Sequence, residues 1–356
     1  MVSENVEELR DRSISKLSDE AALKHIGHLI DASSDAKFAR GATRALFLLD
    51  KLEKRSLSDE DAAIVEYYRA NAWAVKEDVA GDRSSWAWEH PDREQQLLSL
   101  SRAVSHPGFA ALDDIRRCQI LTNRANQFDV MGRFIDAVEG WDTALSLMPK
   151  FAMSLANRGF GLKHYGGMLE NDRDRAIFLL NAHDGLFAAS LPDAIFDSVY
   201  PQQLSKRFAA EARSYAAAGN LDKIRDLLSL ETTSLGRTKA ERTYRQWALD
   251  NRLFLNPLND LGPQPRAASD NLVLPSIRES FEDRTDGHKP PPIIRFFNQI
   301  KQEYVSARYM LYEGLTDTKL HFSDRRVQLF DTLDYPMHSL ATEKVRAAYR
   351  IGPVAV

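Results

Sequence analysis

The chain has 356 residues, a formal net charge of −4, and a composition that is 44% hydrophobic and 28% charged. These values are typical of soluble globular proteins, and the length allows two or three domains. The single cysteine, Cys118, excludes intramolecular disulfides and cysteine-rich zinc sites. Acidic residues outnumber basic ones before Asn251, whereas the two are nearly balanced in the C-terminal part. The charge distribution therefore shows no strongly basic region that would indicate nucleic-acid binding.

The sequence shows neither a secretory signal nor a membrane-spanning segment. The N-terminal residues MVSENVEELRDR are charged and contain no apolar core. No apolar run approaches the roughly 18 residues that a membrane helix needs. We therefore expect a cytoplasmic protein without membrane contacts.

The first part of the chain contains an internal repeat. Arg124-Ala125-Asn126 returns as Arg158-Gly159-Phe160 after 34 residues, which is the tetratricopeptide period. Further copies are Arg69-Ala70-Asn71, with an insertion around Asp78 to Arg93, and a degenerate unit from Ala209 to Leu230. Small, aromatic, turn and helix-ending residues occupy the expected positions of the central unit, namely Ala125, Phe128, Gly132, Phe134, Ala137, Trp141, Ala144 and Pro149. Residues 1–230 are thus predicted to form tetratricopeptide-like helical repeats, with Asn71, Asn126 and Arg158 as candidates for binding a protein or peptide.

The following residues change character. Residues 231–292 are predicted to connect two domains, and the stretch from residue 262 on is rich in proline and turn-forming residues. Leu272, Val273 and Leu274 are its candidates for partial packing. Pro290-Pro291-Pro292 suits the first turn of a helix that follows.

The last part of the chain, residues 293–356, is predicted to be helical. Phe297, Ile300, Tyr304, Ala307 and Leu311 recur at spacings of three and four and form the apolar stripe of a helix over 293–312. Glu313-Gly314 is predicted to end this helix. A short helix near Asp324 to Thr332 and a last helix with Ser339 as its N-cap should follow, the latter broken at Pro353. Almost nothing reads as strand, so the predicted fold class is all-α.

Three segments in this order resemble a known family: NPLNDL at 256–261, KQEYVSARYMLYEG at 301–314, and HFSD with DTLDYP between 321 and 336. Together with the repeats, they resemble a bacterial family in which tetratricopeptide repeats precede a HEPN domain. The resemblance implies an all-helical bundle that often dimerises and cleaves RNA without a metal or cofactor. It also implies a catalytic Arg, followed a few residues later by a His, on a late helix. The Arg would stabilise phosphate charge and the His would act as general acid or base.

That catalytic pair is not found where the family has it. After Asp334 the chain contains one His, His338, and no Arg precedes it at that spacing. We therefore predict no catalytic residues, no metal site, and a C-terminus that is truncated or frame-shifted, so that residues 293–356 form the N-terminal part of the bundle. The stripe from Phe297 to Leu311 would then be poorly covered. Whether the chain is an enzyme stays open.

Several residues of the matched segments are candidates for a site. Lys301, Glu303, Arg308, His321 and Asp334 are predicted to face RNA or to form a site wall. The alternatives are a solvated helix face with local charge pairing for Glu303 and Arg308, and capping or turn roles for His321 and Asp334.

A second set of candidates lies in the turn around Pro257. Asn256, Asn259 and Asp260 would either contact a ligand or satisfy backbone groups of this turn.

Two functions remain at this point. The first is that of a HEPN ribonuclease-like defence or toxin protein, catalytically incomplete, whose repeats sense a partner. The second is that of a non-enzymatic protein-interaction module that acts through its repeats. RNA, a bound peptide or protein, and a second copy of the chain in a homodimer are the expected partners.

Overall fold

The computed structural model describes residues 6–81, 89–197, 200–229, 234–262, 265–274, 292–328 and 338–355. Within these ranges the fold is all-α, as predicted, and strand pairing is limited to an isolated parallel bridge between Phe151 and Ile195. The 3-10 helices in the described part of the chain span Pro107–Ala111, Pro257–Leu261 and Pro265–Ala267. The α-helices are α1 Val6–Asp11, α2 Asp19–Asp35, α3 Ala39–Leu52, α4 Asp59–Ala80, α5 Pro91–Ser105, α6 Asp114–Val130, α7 Phe134–Leu147, α8 Ala152–Met168, α9 Asp172–Ala189, α10 Pro201–Gly219, α11 Leu221–Ser229, α12 Lys239–Asp250, α13 Pro292–Thr316 and α14 Leu340–Ala355.

The chain divides into two compact units. The N-terminal unit comprises Met1–Tyr165 and Leu179–Gly219, and the C-terminal unit comprises Gly166–Phe178 and Asn220–Val356. The core of the N-terminal unit is formed by leucines, isoleucines and alanines of successive helices; Ile26 and Leu49, for example, are fully buried. No helix among the described residues has the length and apolar character required to cross a bilayer.

Side-chain caps fix where several helices of the N-terminal unit begin. The Ser18 hydroxyl accepts from the Ala21 N–H at 3.3 Å at the start of α2, and the Ser58 hydroxyl accepts from the Asp61 N–H at 3.1 Å at the start of α4. Asp113 does the same for α6, accepting from the Arg116 N–H at 2.9 Å. Each cap satisfies an N–H group that has no partner within its own helix.

The predicted repeat units fold as helical hairpins with small residues at their crossings. A methyl group added to Gly140 of α7 would lie 2.8 Å from the Ala125 Cβ of α6, and one added to Gly159 of α8 would lie 2.9 Å from the Ala182 carbonyl oxygen of α9. Gly132 has φ +77° in the turn between α6 and α7, which confirms its predicted place. The assignment of these hairpins to the tetratricopeptide type stays a prediction.

Two segments predicted as loops contain helix. Both ends of the insertion expected around Asp78 to Arg93 are helical, because α4 continues to Ala80 and α5 begins at Pro91. The predicted connecting segment 231–292 contains α12, whose N-cap Thr238 accepts from the Glu241 N–H at 3.1 Å. Glu241 in turn accepts from the Arg237 N–H at 2.9 Å. Thr238 and Glu241 have the spacing of a capping box, a sequence signal that predicts this helix start.

The helix α13 does not end at Glu313-Gly314, as predicted, but continues to Thr316. The reason is that Gly314 lies where α13 meets α14. A methyl group at Gly314 would come 2.6 Å from Val345 Cγ2 and 2.7 Å from the Ala341 carbonyl oxygen. This glycine therefore permits close packing of two helices and does not mark a turn.

The segment before α14 also differs from the prediction. Residues 322–326 form turns where a helix from Asp324 to Thr332 was expected, and the end of that predicted helix lies outside the described residues. Asp324 instead accepts from the Leu340 N–H at 2.8 Å and so helps to cap α14. Ser339 is confirmed as a cap, since its hydroxyl accepts from the Thr342 N–H at 3.2 Å. The predicted break at Pro353 is wrong, because α14 extends to Ala355.

Candidate functional site

The C-terminal unit contains a buried ion pair centred on α13. Arg308 is 5% exposed. Its two terminal nitrogens donate to the two carboxylate oxygens of Asp270 at 2.7 Å each. Its Nε donates to the Tyr244 hydroxyl at 2.8 Å, and Nη1 also donates to the Leu253 carbonyl oxygen at 2.8 Å. This single side chain thus connects α13 to α12 and to the segment that holds Asp270.

Aromatic rings surround the guanidinium group. Its central carbon lies 4.7 Å from the centre of the Phe254 ring, 5.8 Å from that of Tyr244 and 6.0 Å from that of Tyr304. The Tyr304 hydroxyl donates to the Leu253 carbonyl oxygen at 3.1 Å. Ring faces and bidentate hydrogen bonding to a carboxylate suit a planar guanidinium group and would not suit a lysine ammonium.

The pKa shifts keep both members of the pair charged. Burial by itself raises the pKa of Asp270, but hydrogen bonds from Arg308 and from the Leu255 N–H outweigh this and hold that pKa below its usual range. Burial lowers the pKa of Arg308, and the hydrogen bonds with Asp270 and Tyr244 more than compensate and raise it. The geometry is that of a structural ion pair, in which the two charged groups bond to each other inside the unit.

Arg308 therefore does not lie on a solvated helix face, which corrects that interpretation. Lys301 is half-buried and its ammonium group donates to the Leu272 carbonyl oxygen at 2.8 Å. Glu303 is half-buried as well and accepts from the Gln299 side chain at 2.8 Å, a local contact along the helix. Of these three candidates for contact with RNA, two are engaged with the unit's own backbone or carboxylate groups.

The predicted turn around Pro257 is a short 3-10 helix. Asn256 is 6% exposed; its Oδ1 accepts from the Leu258 N–H at 2.9 Å and its amide donates to Ser269 Oγ at 3.1 Å. Asn259 is buried and donates to the Phe254 carbonyl oxygen, while Asp260 is half-buried. For the two asparagines, satisfaction of backbone groups is the role that the contacts support.

His321 belongs to an exposed segment between α13 and α14. Its Nδ1 lies 2.7 Å from Ser323 Oγ, and its ring centre lies 4.1 Å from that of Phe322, which is 74% exposed. We call residues 319–327 the exposed segment; Arg325 and Arg326 in it are exposed too. Asp334, the other candidate of this region, lies outside the described residues. Among the described residues, no arginine is hydrogen-bonded to His321.

The candidates on the repeats occupy helices α4, α6 and α8. Asn126 Oδ1 accepts from the Trp141 Nε1–H at 2.9 Å, and Arg158 Nε donates to Asp142 Oδ1 at 2.7 Å. Asn126 and Arg158 thus bind side chains of α7, and Asn71 is half-buried on α4.

Sequence reasoning did not identify Asp270 or Tyr244 as part of the site. Asp270 lies in the proline-rich stretch, where acidic residues usually face solvent, and its partner is 38 residues further along the chain. Long-range pairs of this kind leave no periodic signal in a single sequence. Among the described residues no group of three His, Cys, Asp or Glu side chains is arranged to hold a metal ion.

The α13–α14 hairpin is the part of the molecule to which a known family corresponds. Residues 284–352 match the LA2681-like HEPN family model. The match spans 69 of the 356 residues and takes in α13 and most of α14. It confirms the HEPN resemblance for this HEPN-like segment. No curated protein and no solved structure matches the chain.

Proposed function

We propose that this chain is a HEPN ribonuclease-like defence or toxin protein that binds RNA through its C-terminal unit and a partner through its helical repeats. The observation that carries the proposal is the match of residues 284–352 to the LA2681-like HEPN family, because the match takes in α13 and most of α14, which pack against each other as a helical hairpin. Cleavage is not part of the proposal. His321, a histidine of this hairpin region, has a serine as its hydrogen-bond partner.

The exposed segment is the RNA contact that we infer. Single-stranded RNA is bound by rings on which bases stack and by cations that track the phosphates. Phe322 offers an exposed ring, and Lys319, Arg325 and Arg326 are exposed cations within a few residues of it. Lys301 and Arg308, by contrast, are bonded within the unit.

Local hydrogen bonds fix the conformation of the exposed segment. The Asp324 N–H donates to the His321 carbonyl oxygen at 3.0 Å, and the Asp324 carboxylate accepts from the first N–H of α14. A segment anchored to a helix end loses less conformational entropy on binding than a free loop does.

The test is binding of a fluorescent single-stranded RNA oligomer, followed by anisotropy. Phe322→Ala should weaken binding by about 1–3 kcal/mol, the value of one stacked base. Arg325→Ala/Arg326→Ala should weaken it and reduce its salt dependence. The matched control is Arg12→Ala/Arg40→Ala, which removes two exposed arginines of the N-terminal unit. Wild-type protein that does not bind RNA contradicts the proposal.

A second candidate function is peptide binding by the repeats without any action on RNA. It is favoured by cations that lie over aromatic rings of alternate helices: Arg116 lies 5.1 Å from the Tyr67 ring centre, and Lys163 lies 5.3 Å from that of Tyr215. On α6, the Arg124 Nε is also buried without a hydrogen-bond partner among the described residues. A carboxylate group of a peptide would compensate the charge of this half-buried guanidinium group.

Selection from a random peptide library separates the two functions. If repeats bind peptides, a consensus should emerge whose affinity falls in Arg124→Ala. It should not fall in Arg12→Ala, which removes an exposed arginine that precedes α2. Absence of any consensus counts against this second function.

A further inference from the structure

The N-terminal unit contains a cavity of about 570 Å³ between the end of α3, the first turns of α4 and the end of α5. Small-molecule sites usually have roughly 300–1,000 Å³. Leu57, Val65 and Pro107 give it apolar walls, whereas Glu66 and Arg102 place opposite charges in it. Glu53, Arg55 and Ser56 also line the cavity, so its walls combine apolar side chains with charged and polar ones.

Glu66 is the buried acid of this cavity, at 9% exposure. Its Oε1 lies 3.5 Å from Arg69 Nε, but Arg69 makes shorter contacts with Asp50 at 2.6 Å and Glu53 at 2.9 Å. Its Oε2 is buried and has no hydrogen-bond partner among the described residues. A buried oxygen of this kind is costly for the fold unless something donates to it.

Burial raises the pKa of the Glu66 carboxyl group, more than the nearby Arg69 and Arg102 charges lower it. The group is thus held in a less polar setting than solvent, in which a cationic donor would interact strongly with it.

The other polar groups of the cavity favour an anionic group. Arg102 is exposed and acts on Glu66 electrostatically. His106 Nδ1 accepts from the Gly108 N–H at 3.1 Å, so the neutral ring carries its proton on Nε2 and is a donor there. Ser105 adds an exposed hydroxyl group to the lining.

The walls are fixed by close backbone packing. A methyl group on Gly108 would lie 2.0 Å from the Asp59 carbonyl oxygen, so the turn after α5 rests directly on the start of α4. Arg55 is anchored by donation to the Leu17 and Ile14 carbonyl oxygens at 3.0 and 2.8 Å. These contacts fix the walls of the cavity, which reduces the entropic cost of binding.

We propose that this cavity binds a small zwitterion with an aliphatic middle. Its ammonium group pairs with the carboxylate group of Glu66, its methylene groups lie against Leu57, Val65 and Pro107, and its carboxylate group contacts Arg102 and the His106 Nε2–H. The site is separate from the proposed RNA contact and does not depend on it.

Isothermal titration of the full chain with straight-chain ω-amino acids, from glycine to 6-aminohexanoate, tests the proposal. One or more members should bind saturably with one site per chain, and hexanoate should bind less well because it lacks the ammonium group. Glu66→Gln, which keeps the size of the side chain, should weaken binding by about ten-fold or more, the value of a hydrogen bond to a charged group. Glu139→Gln, an exposed acid of α7, is the matched control and should bind as wild type does.

Arg102→Ala provides a second variant, at an exposed residue, that keeps the Glu66 side chain in place. It should bind the zwitterion more weakly, whereas its affinity for hexylamine should not fall, because an amine without a carboxylate group gains nothing from Arg102. The proposal is overturned if no member of the series binds saturably, or if Glu66→Gln, shown by circular dichroism to be folded, binds with the wild-type affinity. It is also overturned if Arg102→Ala leaves the zwitterion affinity unchanged.

Discussion

Asp270→Asn should destabilise the packing of α13, because it removes the negative charge that compensates the buried Arg308. The Arg308 side chain is 3% exposed and that of Asp270 is 20% exposed. Removal of one member of a buried ion pair costs about 3–5 kcal/mol. We expect about 3 kcal/mol, at the lower end of that range, since water reaches the Asp270 side and the asparagine still accepts one hydrogen bond.

Hydrogen exchange measured by mass spectrometry reports this change locally. A chain with two units need not unfold in one step, so a single melting temperature is not sufficient. Peptides from α13 should exchange roughly 100-fold faster in Asp270→Asn, which corresponds to that free energy. Peptides from α3, in the other unit, should be unchanged. Glu343→Gln is the control; its pair with Arg346 is exposed and is worth about 0–1 kcal/mol.

A double variant, Arg308→Met/Asp270→Leu, separates the charge from the packing. If the cost lies in an uncompensated charge, removing both groups should destabilise α13 less than Asp270→Asn alone does. Wild-type exchange of α13 in Asp270→Asn would show that the ion pair does not hold this helix. A double variant that is less stable than the single one would show that the cost does not come from the charge.

The pH dependence of α13 follows from the same pair. The folded pKa of Asp270 lies below its usual value, so its stabilisation is complete above the unfolded pKa of about 4 and is lost as the pH falls through the folded pKa. Exchange of α13 should therefore accelerate in acid, after correction for the intrinsic rate, in wild type but much less in Asp270→Asn. Equal acid dependence in the two proteins would contradict this.

Three further predictions concern packing, burial and capping. Gly314→Ala should destabilise α14 against α13 by about 1–3 kcal/mol despite its better helix propensity, because the methyl group meets the Ala341 carbonyl oxygen at 2.7 Å; unchanged exchange of α14 would count against it. Asp129→Asn should slow the exchange of α6 peptides at pH 7 relative to wild type but not below about pH 4, since burial raises the pKa of Asp129 and its ionised form therefore opposes folding; faster exchange of α6 at pH 7 would be inconsistent. Thr238→Ala should cost α12 about 1 kcal/mol, whereas Thr238→Ser should not, as measured by exchange of α12 peptides.

The features that were predicted correctly from the sequence are those that depend on residues close together in the chain. The all-α class, the start of α14 at Ser339 and the turn at Gly132 follow from spacing, capping and a left-handed glycine. The predicted end of α13 was wrong because Gly314 has two possible roles, in a turn or at a helix crossing. Only the position of α14 distinguishes them.

The candidate site was harder to predict because its residues are distant in sequence. Arg308 lies off the apolar stripe, so periodicity placed it in solvent, whereas Asp270 and Tyr244 bury it. The exposure of Phe322 also has no sequence signal, since phenylalanine is usually a core residue. Resemblance to the HEPN family identified the segment that the family model matches, but not which of its cations are exposed.

RNA binding by the exposed segment is tested most sharply by its salt dependence. The affinity of the full chain for a single-stranded RNA oligomer would be measured over a range of salt concentrations, for wild type, Arg325→Ala/Arg326→Ala and the control Arg12→Ala/Arg40→Ala. We expect wild type and control to share one slope of log affinity against log salt. The slope of the Arg325→Ala/Arg326→Ala protein should be shallower by about 0.7 for each phosphate that the variant no longer neutralises. No binding by wild type, or equal slopes for all three proteins, would contradict the proposed RNA contact.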